Sequence, residues 1–526
     1  MVGRIISVLL LAMELSAQQL PASLASARTF RISGTVVNAV TGQPVANTEV
    51  SIGVSTEPEA LQKERTGLDG RFGFSGVAPG KYWLAAQRKG FSVQRYEEHY
   101  GFFTGVVTGP GLDSENLVFR LNPDASILGV ITDEQAEPIQ ATVLLFRKGT
   151  EDGGVATLQW SQEMTDERGH YRFSHLPRGQ YFVAVSAQPW YTQGVRRDSV
   201  NAEQLPLFDV AYPLTYYPGA TDEPAAKPII LSAGDHVAAD LTLTTAPALH
   251  VRMKRGNSEP FMQVSHRVFG ALVGTSWNAA EAEGEFEIYS APAGQYALDV
   301  ESLGERPTEH SEIVKLTGDT EIDMAATPSS TSIRGVVKLE QGVSLPPNAA
   351  IRLWNRVSGE VLDAPLSATG EFQFNPRFVT PGSYAISLPN VMTVVLSSVS
   401  ATGAKPTGRS VRITGSGSVQ LTLTLSNGIN IDGIAMRDGK AVAGAMVVLV
   451  PRDPEHNLAL FRRDQSDSDG TFTLRSALPG TYTVVAIQNG WDLEWANPAA
   501  LEPYMAKGEV LRFDANRTYQ ITVPVQ

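Results

Sequence analysis

Hydrophobic and polar residues alternate with a period of two in short runs along most of the chain. Between Thr66 and Leu84, Phe72 and Phe74 occupy alternate positions, then Tyr82 and Leu84 do the same, so each pair projects to one face of a strand. Asp69-Gly70 suits a tight turn with positive φ, and Pro79-Gly80 fits the two central positions of a type II turn. The stretch therefore predicts a hairpin, a core strand, a second turn and another core strand.

The same grammar returns four times. Gly169, Tyr171 and Phe173 precede Gly179 and Tyr181; Gly284, Phe286 and Ile288 precede Gly294 and Tyr296; Gly370, Phe372 and Phe374 precede Gly382 and Tyr384; Gly470, Phe472 and Leu474 precede Gly480 and Tyr482. From turn glycine to tyrosine the spacing is 12 residues in every copy but the fourth, where it is 14. Successive tyrosines lie 99, 115, 88 and 98 residues apart, too far for a solenoid repeat and suited to one small β-sandwich per copy. Gly70, Phe72, Gly80 and Tyr82 and their counterparts are thus read as scaffold.

Each copy also opens in a recurrent way. Gly34, Val36 and Asn38 lead to Gly42, Pro44, Val50 and Ile52, and Gly129, Gly335 and Gly433 begin similar strand–turn–strand segments. The third copy departs, since its opening strand from Leu249 to Met253 has no glycine. The expected organisation is a signal and leader over 1–27, then β-sandwiches over 28–122, 123–246, 247–326 (divergent), 327–425 and 426–526. The joints are short and three of the four contain proline, which predicts semi-rigid connections.

Composition narrows the setting. Across 526 residues, 42% hydrophobic content is ample for several cores, while a net charge of −13 with no basic stripe argues against nucleic acid. The pairs Arg196-Arg197 and Arg462-Arg463 read as solvated loop charges. Arg4 precedes the apolar run Ile5 to Met13, and Leu15-Ser16-Ala17 follows as a signal-peptidase site, so export is expected, although Glu14 is atypical there. No later segment is long and apolar enough to cross a membrane as a helix. The complete lack of cysteine excludes disulfides, thiolate metal sites and a lipidated cysteine.

The opener and the kernel together resemble the carboxypeptidase regulatory-like domain, and the five copies are similar to exported multi-repeat proteins of Gram-negative bacteria built from it. That resemblance implies an all-β chain, a tandem array of Greek-key, transthyretin- or immunoglobulin-like β-sandwiches, related in shape to adhesin B-type repeats. It implies location in the periplasm, on the outer surface or outside the cell, and no established activity.

Motifs for catalysis are missing. None of the eight histidines has a glutamate three residues later, as a zinc carboxypeptidase requires, and there is no G-x-S-x-G elbow or Walker loop. No cofactor and no catalytic residue are assigned. A Lys–Asn isopeptide crosslink, used by some adhesin repeats, is not expected, because the opening strands of the first and fifth copies have no lysine and the last strand has no asparagine. His170 and His175, an odd number of residues apart, fall on opposite faces of a strand.

Two signals remain open. Asp464, Asp467 and Asp469 place three carboxylates beside a turn, which reads either as a calcium site or as an ordinary hairpin with solvated acids. Aromatic-rich excursions follow the kernel tyrosines: Phe91 to Phe103; Trp190, Tyr191, Tyr216 and Tyr217; and Trp491, Trp495 and Tyr504. These rings either bind a ligand, with a polysaccharide or an envelope protein as the partner, or close over their own cores. The functional expectation is a non-enzymatic binding or spacer protein, with carbohydrate recognition and a structural rod or adhesin as alternatives.

Overall fold

The computed structural model describes residues 29–151, 154–192, 208–254, 260–275, 278–282, 285–302, 308–322, 331–355, 357–374, 379, 381–389, 391, 394–414, 417–515 and 517–526. The signal segment, Gly284 and Arg196-Arg197 lie outside them.

The chain is all-β, a tandem series of sheet pairs, each enclosing its own core. In the first module, strand Phe30–Asn38 lies between the kernel strand Arg71–Val77, antiparallel to it, and the last strand Leu117–Leu121, parallel to it. The facing sheet pairs Glu49–Val54 with Gln62–Arg65 and with Gly80–Gln87, the strand that carries the kernel tyrosine. Alternation explains the core: Ile32, Val36, Phe72, Phe74, Tyr82 and Leu84 are all buried between the sheets. The same parallel pairing of opening and closing strands recurs in the other four modules.

The opening glycine has a steric reason. In four modules it sits directly opposite the first kernel aromatic: Gly34 against Phe72, Gly129 against Tyr171, Gly335 against Phe372 and Gly433 against Phe472. A Cβ on Gly34 would come within 2.2 Å of the Leu117 carbonyl oxygen, and one on Gly433 within 2.4 Å of the Phe472 ring. The third module puts buried Met253 at this register, opposite Phe286. Its divergence is thus a local repacking on the same ladder.

The kernel tyrosines are buried to 5% exposure or less, so their hydroxyls need partners inside the protein. Tyr82, Tyr181, Tyr296 and Tyr482 each donate to the carbonyl four residues earlier, at Ala78, Pro177, Pro292 and Leu478, over 2.7–3.1 Å. In the fourth module, where the spacing is 14, Tyr384 donates to Glu360 Oε2 at 2.8 Å. Glu360 is fully buried, and its other oxygen takes Arg267 of the third module at 3.1 Å.

Tyr82→Ala is expected to cost about 3–5 kcal/mol as a large-to-small core change. Tyr181→Phe should cost about 1 kcal/mol, and Tyr384→Phe about 1–3 kcal/mol because it deprives a buried carboxylate of a donor. Urea denaturation of the full chain compares the two phenylalanine variants, and equal losses would refute the special role of Glu360.

Candidate functional site

Contacts between modules form a closed circuit. The first and second meet where Ser92 donates to Asp124 Oδ1, and the second and third where buried His250 lies between Asp209 at 2.9 Å and Glu287 at 3.0 Å. Phe269 of the third also inserts among Phe146, Phe182 and Tyr216 of the second. Arg267–Glu360 joins the third to the fourth, and Arg409 joins the fourth to the fifth through His456 and Asn457. The last link returns from the fifth module to the first.

That closing junction is polar and buried. Asp467 Oδ1 accepts from the Gly105 N–H at 2.9 Å, and its carboxylate also takes Lys81 of the first module. Gln465 Nε2 donates to the Glu97 carbonyl at 2.7 Å and to Thr104 Oγ1 at 2.8 Å, while Ser468 Oγ accepts from the Val107 N–H. The His99 ring stacks on Trp491 with centroids 5.0 Å apart and bonds Gln465 Oε1 through Nδ1. Burial holds the His99 pKa below its ordinary value, which keeps the imidazole neutral in this contact.

Beside the junction lies a cavity of about 390 Å³ bounded by the first, second, fourth and fifth modules. Its volume is within the range of about 300–1,000 Å³ usual for ligand pockets. Arg463 is 8% exposed, and its guanidinium lies 4.5 Å from the Trp495 ring centroid, 4.8 Å from Phe102, 5.5 Å from Trp491 and 5.9 Å from Tyr100. Burial pulls its pKa down to about 10, so the group remains a cation at neutral pH. Arg147, over Trp160 at 4.9 Å, forms part of another wall.

The aromatic candidates divide among several places. Trp491, Trp495 and Tyr504 join one apolar cluster with Trp354 and Leu501, at the junction of the fourth and fifth modules. Trp491 Nε1 donates to the Gly444 carbonyl, and of this group Trp495 lines the cavity. Tyr216 is buried against Phe269, and Tyr217 packs on the core of the second module. Trp190 alone is highly exposed, at 78%, standing edge-on to Tyr191. It borders a polar groove of about 480 Å³ shared with Tyr212, Asp133, Glu137 and Gln140.

The three aspartates do not converge. Asp469 accepts from Thr471 N–H and hydroxyl within its own hairpin, Asp464 accepts from the Thr473 N–H, and Asp467 serves the module junction. Among the described residues no three His, Asp or Glu side chains group as a metal site. The reading of these acids as solvated is also corrected, because Asp467 is 1% exposed. His170 pairs with Asp166 and His175 with Asp124, so they share no site.

Arg462-Arg463 is a second correction: rather than solvated loop charges, both belong to strand Arg462–Gln465. Arg463 and Gln465 are buried on one face, and Arg462 donates to the carbonyls of Ala459, Phe461 and Ser476. The period-two placement of Arg463, Gln465 and Asp467 was the available signal. Their partners His99, Lys81 and Thr104 lie more than 350 positions away, beyond any local pattern.

Residues 31–121 match the carboxypeptidase regulatory-like domain. The first module is similar to that family. The other four modules repeat its kernel on the same sheet pair. No curated protein matches the chain. Similar solved structures include a streptococcal ancillary pilin, at 12% identity, 56% of this chain, 98% of the pilin and a TM-score of 0.19. The minor pilin of Streptococcus agalactiae gives 12%, 41%, 96% and 0.20, and the shaft pilin of Lactobacillus rhamnosus GG 8%, 42%, 98% and 0.19. At such TM-scores the likeness carries no functional weight.

Burial raises the Asp467 carboxyl to about pH 6 even though Lys81 pulls it down. The folded chain therefore holds this proton more tightly than the unfolded chain, and the group adds stability as pH falls from 7 through 6 toward 4. Relative to Asp467→Asn, the wild type should gain about 2 kcal/mol over that window. Parallel thermal scans from pH 4 to 7 check it; a constant difference would place the shift elsewhere.

Proposed function

We propose that the protein is a non-enzymatic, exported binding protein of the bacterial cell envelope whose five sandwiches close into one body. The observation that carries this reading is the buried docking of the fifth module onto the first through Asp467, Gln465 and Trp491. A spacer gains by holding its ends apart, whereas this chain uses a buried carboxylate, a glutamine amide and stacked rings to bring them together. Such groups are costly to bury unless paired, so the arrangement favours one geometry over a string of independent beads. The signal-like start and the similarity of the first module to the regulatory-like domain support export and a non-catalytic role.

Carbohydrate recognition is the second reading. It is favoured by Trp190, an exposed indole at the rim of a groove lined by carboxylates and amides, the mixture that grips a sugar ring by its face and its hydroxyls.

Small-angle scattering tests the closed body. The wild type should give a compact particle, and Trp491→Ala, which removes the His99 stack, should increase its maximum dimension; an extended wild type would restore the rod. Polysaccharide arrays test the ligand class. Binding should weaken about three- to tenfold in Trp190→Ala, and unchanged binding would remove Trp190 from the site.

A further inference from the structure

The cavity bounded by four modules has more hydrogen-bond donors than the protein satisfies. Arg463 Nη1, Trp495 Nε1 and Arg147 Nε are buried atoms with no hydrogen-bond partner, and all three side chains line the cavity. Among the described residues no Asp or Glu lines it. Arg352, also on the wall, is paired with Asp363, and Arg462 Nε and Nη1 donate to carbonyls. Arg463 therefore sits 8% exposed in a cage of rings that stabilise its charge without accepting its N–H. A neutral acceptor would answer the N–H but leave a buried charge without a counter-ion.

The geometry points to this cavity as a binding site for an amphiphilic carboxylate, its head on Arg463 and the neighbouring Trp495 indole, its hydrocarbon or aryl body along Leu396, Leu458 and Phe461. A planar two-oxygen anion matches a guanidinium edge beside one indole N–H, a pairing of the charge-assisted kind. A phosphate dianion would need more donors than the two on this side supply. Arg147, on the wall given by the second module, limits how far the body extends and offers a second polar contact at that end. The inference rests on the reading of the chain as a binding protein, and it assigns a ligand class to a site built from modules that are distant in sequence.

Isothermal titration of the full-length mature protein with decanoate, and with decanol as the neutral homologue of equal length, tests it. Decanoate should bind at least tenfold more tightly than decanol, and Arg463→Gln should abolish that preference while leaving decanol affinity within about twofold. Arg147→Gln, at the other wall and less buried, is the second variant; it should lower decanoate affinity severalfold and guards against misfolding of the Arg463 variant, which near-UV circular dichroism monitors. Equal affinity for the two probes, or no decanoate binding by folded wild type, overturns the inference. Polysaccharide binding that depends on Trp190 in the same preparation would then show that the broader binding reading survives, and its absence as well would end both.

Discussion

A tyrosine hydroxyl buried in a sandwich must find an acceptor, and much of this architecture follows from how that need is met. In four modules the phenol reaches back to the carbonyl four residues before it, fastening the loop that precedes the core strand. The ring then fills the space between sheets at a position that neither loop nor strand can shift without leaving a polar group unpaired.

At the fourth tyrosine a module junction appears. The fourth tyrosine turns to Glu360, and a carboxylate with one oxygen on a phenol has the other free to receive Arg267 from the preceding module. A buried acid therefore stands where two domains meet. The second and third modules are joined by comparable means, with the ring nitrogens of His250 held between carboxylates from either side. These junctions combine charged or polar pairs with a few inserted rings, as expected of domains that each have a complete core before they associate.

The closing contact between the fifth and first modules follows the same economy. Asp467 and Gln465 are consecutive inward positions of one segment, and both find backbone or side-chain partners across the junction. Arg463, two positions earlier on that face, passes beyond the junction to the cavity and meets aromatic faces. One strand edge and the turn after it therefore supply both the latch and the chemistry of the adjoining space.

The sequence by itself determined the all-β class and the alternating kernel of each sandwich, because alternation and spacing are local properties written in consecutive residues. Even the divergent third copy, with Met253 for glycine, kept its register through the alternation around it. Only the tertiary structure decided the fate of the aromatic excursions and of the acidic and basic clusters. Trp491 and Asp467 look alike in sequence whether they face water, a cation or another module, and what settles the matter is a surface contributed by residues hundreds of positions away. Burial and pairing are properties of that encounter. The sequence therefore carried the building unit, and the meeting of four units created the cavity.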